Sequence, residues 1–564
     1  SDFRGPHLFS LGAALAPGKD FAEVEQAIYA ELEKMAREPV SQDELQRARK
    51  ANRKGTILAG ADPQTFANML CSAESVADWQ WLVNYDDLYD AVSADDIMRV
   101  AATYFERSNR TVGHFLPTDR QGVAANFSAP AVEMDITAKA GGKAANAQKK
   151  PAERRLSLPV PGSGGSNFAE KVNRVVLPNG LTVLAMNTPG TGSVSLFGTI
   201  AAGDCFGSAD KSLVPSVTSA MLSRGSKRFS KEHLARIFEE MGVRFGFGTD
   251  RFKTEFGTLV TSQDFAEFAN VVSDVVRNPA FPAQELPQVL REMRAGLTRR
   301  LNDTGSRADN ALVQALYPAG HPFHEKTIDE QLDELDRIDL TDLAAYHSAH
   351  FSPKSTIMSV VGDIDPQEAI KVISAAFGDW TGPERKQPQV EPVGLPAAAS
   401  TVKVNLNDKA NVDILIGHPT TLLRSNKDFF AAQLANAVLG KDTISARLGK
   451  LVRVKHGLTY GIYSYFDDTS FGAAPWLISL SVNPTNVKRA LGLVDQVVAE
   501  FIKKGISEEE LADEAGRAVG SFVVALRSSD GIAAALTRFE FIGLGYAAMD
   551  TVASDYMAVT RKDV

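Results

Sequence analysis

Cysteine is nearly absent: Cys71 and Cys205 are the only two in 564 residues, and they stand far apart. Two such thiols cannot form a disulfide framework, and with no CxxC pair they do not suggest a thiolate metal site. They read as small apolar residues of the interior. No run of about 18 or more apolar residues occurs, so the sequence offers no membrane-spanning helix. No leader pattern is seen, and the first residues read as the middle of a domain. An excess of positive charge is missing too. The formal net charge of -9 and pI near 5.6 argue against nucleic acid as the main partner, because an acidic surface repels phosphate.

Familiar catalytic signatures are also absent. Nine histidines are present, and none stands in an HExxH, HxxEH or HxH spacing. His324-Glu325 opens like a zinc motif, but Ile328 occupies the place of the second ligand. His347 and His350 share a helix face and read as packed residues. No Walker A loop, no GxGxxG after a strand and no GxSxG elbow is found.

What is there is length and repetition. A chain of 564 residues exceeds one core, so three or four packed units are expected; 44% hydrophobic and 23% charged residues are ordinary for a globular protein. Two stretches match: Val40-Ser41-Gln42-Asp43-Glu44-Leu45 and Ile506-Ser507-Glu508-Glu509-Glu510-Leu511. Each reads as a helix start, with an apolar staple, a Ser cap and acids in the first turn. Amphipathic helices are predicted before them at 21–37 and 487–504, and strands before those at 8–15 and 476–482. A weaker copy of the helix lies at 264–276. Residues 91–115 also match 338–362, each reading as cap, helix, aromatic pair and strand; the positions of His347 and His350 are held in the first copy by residues other than histidine.

The repeat predicts an α+β unit. Its first copy lacks upstream strands, and its last lacks a closing helix and strand, so the chain reads as a piece of a longer protein. Residues 128–166 hold Ala, Lys, Gly, Pro and Ser and read as a linker between two halves. A hairpin follows about Pro178-Asn179-Gly180, then a strand at 194–201, a small-residue turn through Gly203 and a helix from about Leu213. Strands of the last copy are expected from near Thr401.

These motifs resemble the M16 (pitrilysin/insulinase-like) zinc peptidases. The resemblance rests on Leu177-Pro178-Asn179-Gly180-Leu181, then Ala202-Gly203, then Met221-Leu222-Ser223-Arg224-Gly225-Ser226. It covers nearly all of the chain outside the linker. It implies tandem LuxS/MPP-like units, each an antiparallel or mixed sheet packed with long helices, in two halves. The units would be 1–127 (end of the second), 128–166 (linker), 167–400 (third) and 401–564 (fourth, truncated). Active members carry HxxEH, two zinc ligands and a general base, with a further Glu downstream. Here that stretch reads Ser216, Val217, Thr218, Ser219 and Ala220, so this chain is expected to bind no metal; Glu292 matches the distal ligand.

A second family signature is similar to Arg453-Val454-Lys455-His456-Gly457-Leu458-Thr459-Tyr460. The resemblance implies that Arg453 and Tyr460 hold the peptide backbone and stabilise the tetrahedral intermediate. From the residues alone, a helix-end salt bridge and a strand-face aromatic are the better reading. The implied function is the substrate-binding portion of a zinc metalloendopeptidase. Its partners would be a peptide and either a missing upstream HxxEH unit or a separate zinc-bearing subunit, in a setting the resemblance makes periplasmic. The rivals are a non-enzymatic scaffold subunit and the regulatory half of a heterodimer.

Overall fold

The structure, a computed structural model, describes residues 7–13, 15, 20–114, 167–386 and 388–564. The expected linker at 128–166 lies outside the described residues.

The first block is helical. Helices Phe21–Arg37, Gln42–Gly60, Pro63–Val76 and Ala94–Tyr104 each start on an oxygen-bearing cap: Asp20, Ser41, Asp62 and Ser93. Ser41 with Glu44, and Ser507 with Glu510, form reciprocal capping boxes, so the two matching stretches start helices by the same hydrogen bonds. The strands expected at 8–15 and 111–115 are corrected: no strand is formed at 8–13, 15 or 111–114. A strand needs a neighbouring edge, and the described residues of this block contain none. Both segments run along helices instead. Phe9 meets Phe105 at 4.8 Å; His114 stacks on Phe21 at 4.5 Å and pairs with Glu25.

The next region holds a six-stranded sheet, order β1-β2-β6-β3-β5-β4. Its strands are β1 (Asn173–Val176), β2 (Thr182–Asn187), β3 (Ser193–Ile200), β4 (Phe247–Thr249), β5 (Thr254–Thr261) and β6 (Thr356–Gly362). The β2–β6 pair is parallel and the other pairs antiparallel, so the sheet is mixed and the fold α+β. The β1–β2 turn closes because Gly180 takes φ 93° and donates its N–H to Leu177 O at 2.8 Å. Gly203, after β3, is required by close approach: a Cβ there would lie 2.3 Å from the backbone of Phe252 and Lys253.

This sheet is buried on both faces. Alternation along β6 sends Met358 and Val360 to one core, with Val183, Ala185 and the helix Phe265–Arg277. Ile357 and Val361 go to a second core, with Leu184 and Met186. That second core is closed by a helix from far along the chain, Ser529–Phe541, through Ile532, Ala533, Leu536 and Phe539. Buried Ser359 fits the helix to the sheet: its hydroxyl donates to Ala533 O at 2.7 Å and meets the Thr537 hydroxyl at 2.7 Å.

The last region carries a three-stranded antiparallel sheet, order β7-β9-β8: β7 (Val412–Pro419), β8 (Thr459–Phe466) and β9 (Pro475–Val482). Its first strand starts at Val412, later than the expected onset near Thr401. Val402 and Val404 are exposed, and β7 pairs only with β9, so residues 401–411 add no strand to the sheet. The helix Val487–Lys504 buries Ala490, Val494 and Val497 on this sheet, whereas its counterpart Phe21–Arg37 buries no residue. Among the described residues no single helix is long and apolar enough to cross a membrane.

Leu536 is fully buried where the distant helix meets the six-stranded sheet. Leu536→Ala is expected to lower stability by about 2–5 kcal/mol, the usual cost of such a cavity. Chemical denaturation followed by far-ultraviolet circular dichroism checks this; an unchanged midpoint would show that the helix does not hold the sheet.

Candidate functional site

The spacing of Arg453 and Tyr460 has a local structural cause. The segment Gly449–Lys455 is wound as a wide π-helix, a form common at functional sites. Gly457 ends it with φ 60°, donating its N–H to Arg453 O at 2.9 Å. Strand β8 then begins at Thr459, and its register against β9 shifts between Thr459 and Ile462. A bulge of this kind re-aims a side chain. Tyr460 is accordingly 88% exposed, and the Arg453 guanidinium stacks over its ring, 5.0 Å from the centre. Helix end, glycine reversal and strand start thus bring together two residues seven apart. The expected helix-end salt bridge is not formed: Arg453 appears in no ion pair among the described residues, and its partner is the Tyr460 ring.

The segment is anchored from beneath. Arg447 donates to both carboxylate oxygens of Glu510, at 2.8 and 2.6 Å, and to Gly505 O at 2.9 Å. The Arg447 guanidinium and the Ser507 cap hold Glu510 down to about 2. The outer edge of β8 is also occupied, since Ile462 N–H bonds to Thr443 Oγ1 at 3.0 Å and Asn436 Nδ2 to Ser464 O at 2.9 Å. These side chains blunt the edge against strand pairing.

The positions matching HxxEH lie on the helix Val214–Leu222. Ser216 donates to Asp204 at 3.0 Å, Ser219 Oγ is buried without a partner, and Ala220 offers no donor atom. Glu292 accepts from Arg224 at 2.7 Å and from Gln288 at 2.8 Å. Arg224, four residues past the motif, supplies positive charge to the distal carboxylate, and these residues do not fit a zinc ion. Among the described residues no group of three or more His, Cys, Asp or Glu converges to hold a metal.

Beside Ser216 opens a cavity of about 1470 Å³, lined among others by Asp204, Asp250, Arg251, His324 and Glu325. The sequence reading missed it, because its walls come from separate segments; the one local signal is an acid directly after Gly203. Asp204 is exposed where it lines the cavity, and desolvation by the surrounding protein pushes it up to about 7. The Ser216 hydrogen bond works against the shift, while Asp250 and Glu325 add to it. Burial likewise pushes the neighbouring Cys205 thiol up to about 12, which leaves it a poor nucleophile. Glu325 pairs with Arg300 at 2.9 Å, and Arg251 pairs with Asp467 at 3.2 Å, which ties the cavity to the last region.

Three histidines are held by the fold. His324 bonds to Tyr317 O and His347 to Val276 O, each at 2.8 Å; His350 is packed between Phe206 and Tyr346, and burial lowers it to about 4. Among the described residues, no hydrogen bond, ion pair or ring contact joins the Ser216–Glu292 region to the Arg453–Tyr460 pair.

With this geometry in hand, similarity to known proteins is informative. The Peptidase M16 inactive domain family matches residues 1–52 and 337–515. A Helicobacter pylori protein described as a non-peptidase homolog is 23% identical over 303 residues, covering 53% of this chain and 68% of its own. An uncharacterized zinc protease of Streptomyces coelicolor is 21% identical over 416 residues, covering 71% and 87%. Among solved structures, a peptidase M16 inactive domain from Pseudomonas fluorescens superposes with TM-score 0.63 at 24% identity, covering 70% of this chain and 92% of that one. The periplasmic protease PqqL of Escherichia coli superposes with TM-score 0.59 at 14% identity, over 96% of this chain but 61% of its own. These likenesses carry the fold; the names span peptidases and a non-peptidase alike.

Asp204 sits near 7 in the folded chain and near its ordinary 3.8 when unfolded. Between about pH 4 and 7 the native state therefore binds more protons, so stability falls as pH rises through that window and levels above it. Asp204→Asn is expected to flatten this fall and to melt above the parent protein at pH 8. Melting curves from pH 4 to 8 check it, and identical profiles for the two proteins would remove Asp204 from the account.

Proposed function

We propose, from the partial match to the Peptidase M16 inactive domain family and the lack of an HxxEH motif in these residues, that this chain is the substrate-holding portion of a zinc metalloendopeptidase. The zinc and the carboxylate that activates water would come from an HxxEH unit outside these residues, in the same polypeptide or in a partner subunit. The observation that carries this reading is the pair formed by Arg453 and the strongly exposed Tyr460, stacked at 5.0 Å and anchored by Arg447 and Glu510. A guanidinium and a phenol both donate hydrogen bonds. Held rigidly, they suit a peptide carbonyl whose oxygen gains negative charge during attack. Stacking on Tyr460 limits the rotamers of Arg453, so little ordering is left to do when substrate arrives. A closed chamber between two halves completes the proposal, with a periplasmic setting of the kind that the name of the periplasmic protease PqqL gives.

A second reading is a non-catalytic M16-fold subunit. The non-peptidase relative favours it, as do Ser216 and Ala220 at the places of the two zinc ligands and Ser219 at that of the base.

Arg453→Ala and Tyr460→Phe are each expected to lower peptide turnover by about 100- to 1,000-fold in the assembled enzyme, the usual cost of one oxyanion donor. Bound zinc, measured by atomic emission, should stay unchanged. Unaltered turnover would take both residues out of the mechanism. An assembly with no zinc and no chelator-sensitive hydrolysis would favour the scaffold.

A further inference from the structure

Tyrosine is scarce, with 11 in the chain, and among the described residues the exposed ones are Tyr104, Tyr460, Tyr463 and Tyr465. All but Tyr104 lie on one strand, β8. Exposed tyrosines gathered in this way suit a contact surface, because a phenol offers a large rigid ring at little entropic cost.

The strand sets them on one face. Ile462 and Ser464 are buried, and Ile462 enters the core beneath the helix Val487–Lys504. Tyr463 and Tyr465 alternate with them on the opposite face, 44% and 38% exposed. The register shift between Thr459 and Ile462 turns Tyr460 outward as well. Tyr463 does not stand upright. Its ring covers Gly461: a Cβ at position 461 would lie 2.9 Å from the ring and 3.2 Å from its hydroxyl. The ring therefore leans back along the strand, toward Tyr460 and the Arg453 guanidinium stacked on it.

The rest of this face is low. Ser479, opposite Tyr463, and Ser481 are small, half-buried residues of β9, and Leu477, opposite Tyr465, is buried against Gly417. On the far side, Asp413 of β7 accepts from the Thr304 hydroxyl at the start of the helix Thr304–Leu316, which packs on that strand. The face is thus bounded by tyrosines on one side and by a helix on the other. The outer edge of β8 is closed to strand pairing by Thr443 and Asn436, so a peptide meets this sheet through side chains on its open face.

We propose that Tyr463 and Tyr465 form a specificity surface that receives a large apolar side chain of the peptide held by Arg453 and Tyr460. The inference rests on the peptidase reading and adds the substrate class: peptides with an aromatic or bulky aliphatic residue near the bond to be cut. Contact between rings supplies the discrimination.

Peptide pairs that differ only in Phe against Ala, with the varied position moved along the sequence, test it in the assembled enzyme. At one position the parent is expected to prefer Phe in kcat/KM. Tyr463→Ala is expected to cut that preference about 10-fold, Tyr463→Phe to keep it, and Gly461→Ala to weaken it by pushing the ring aside. A merely structural role would lower kcat/KM for both peptides alike. Such an equal loss, or a preference that Tyr463→Ala and Tyr465→Ala both leave intact, overturns the inference, while Arg453→Ala in the same assay separately tests the peptidase reading. If the assembly cuts no peptide, that reading fails, and fluorescence anisotropy of the same peptides, labelled, on this chain decides the surface. Tighter binding of the Phe peptide that Tyr463→Ala abolishes upholds it, and equal binding of both overturns it. Both tyrosines are exposed, so their variants are expected to fold.

Discussion

The fold depends on covering both faces of one sheet. Strand β6 is buried at every position, which is possible only if apolar material lies above and below it. One face is covered by local helices such as Phe265–Arg277; the other is covered by Ser529–Phe541, well over a hundred residues downstream. The two sheets therefore belong to regions that share a core. Fully buried Leu184 and Leu536 contribute to it from opposite sides. Neither region could expose that surface to water without a large cost in apolar area.

This shared core sets where polar groups can be placed. The cavity beside Ser216 is built from the turn after β3, the turn before β5 and the loop around His324, and Arg251 links it across to Asp467. Asp204 is exposed to the cavity, and crowding by its walls together with the acids Asp250 and Glu325 raises its proton affinity. Along the helix Val214–Leu222 and just past it, Arg224 satisfies Glu292, while Ser216, Ser219 and Ala220 offer no imidazole or carboxylate to a metal. The site is thus neutralised by a guanidinium.

Arginine recurs as the organising residue in three distinct ways. Arg447 is bidentate to a carboxylate and braces a helix end. Arg453 lies over an exposed phenol and keeps its hydrogen-bonding capacity outward. Arg424 is sandwiched by phenyl rings with no acceptor assigned. The planar, always-charged guanidinium allows all three, since it stacks through its face and donates through its rim.

The sequence by itself determined what is local. The helices Phe21–Arg37 and Val487–Lys504, their following capping boxes and the Pro178-Asn179-Gly180 hairpin were legible because each depends on residues within a few positions. The Arg453–Tyr460 pair was legible as a motif, since a glycine reversal joins residues only seven apart. Strand formation was legible in part: the expected strands at 194–201 and 476–482 form, whereas residues 8–13 and 15 and the stretch from 401 to 411 join no sheet, because a strand needs a partner that composition alone does not supply. The cavity around Asp204, the pairing of Glu292 with Arg224 and the packing of Arg424 between Phe429 and Phe539 were likewise decided by tertiary structure. Each joins residues separated by tens to hundreds of positions. Their neighbours are set by which faces must be buried together, and no local pattern encodes that.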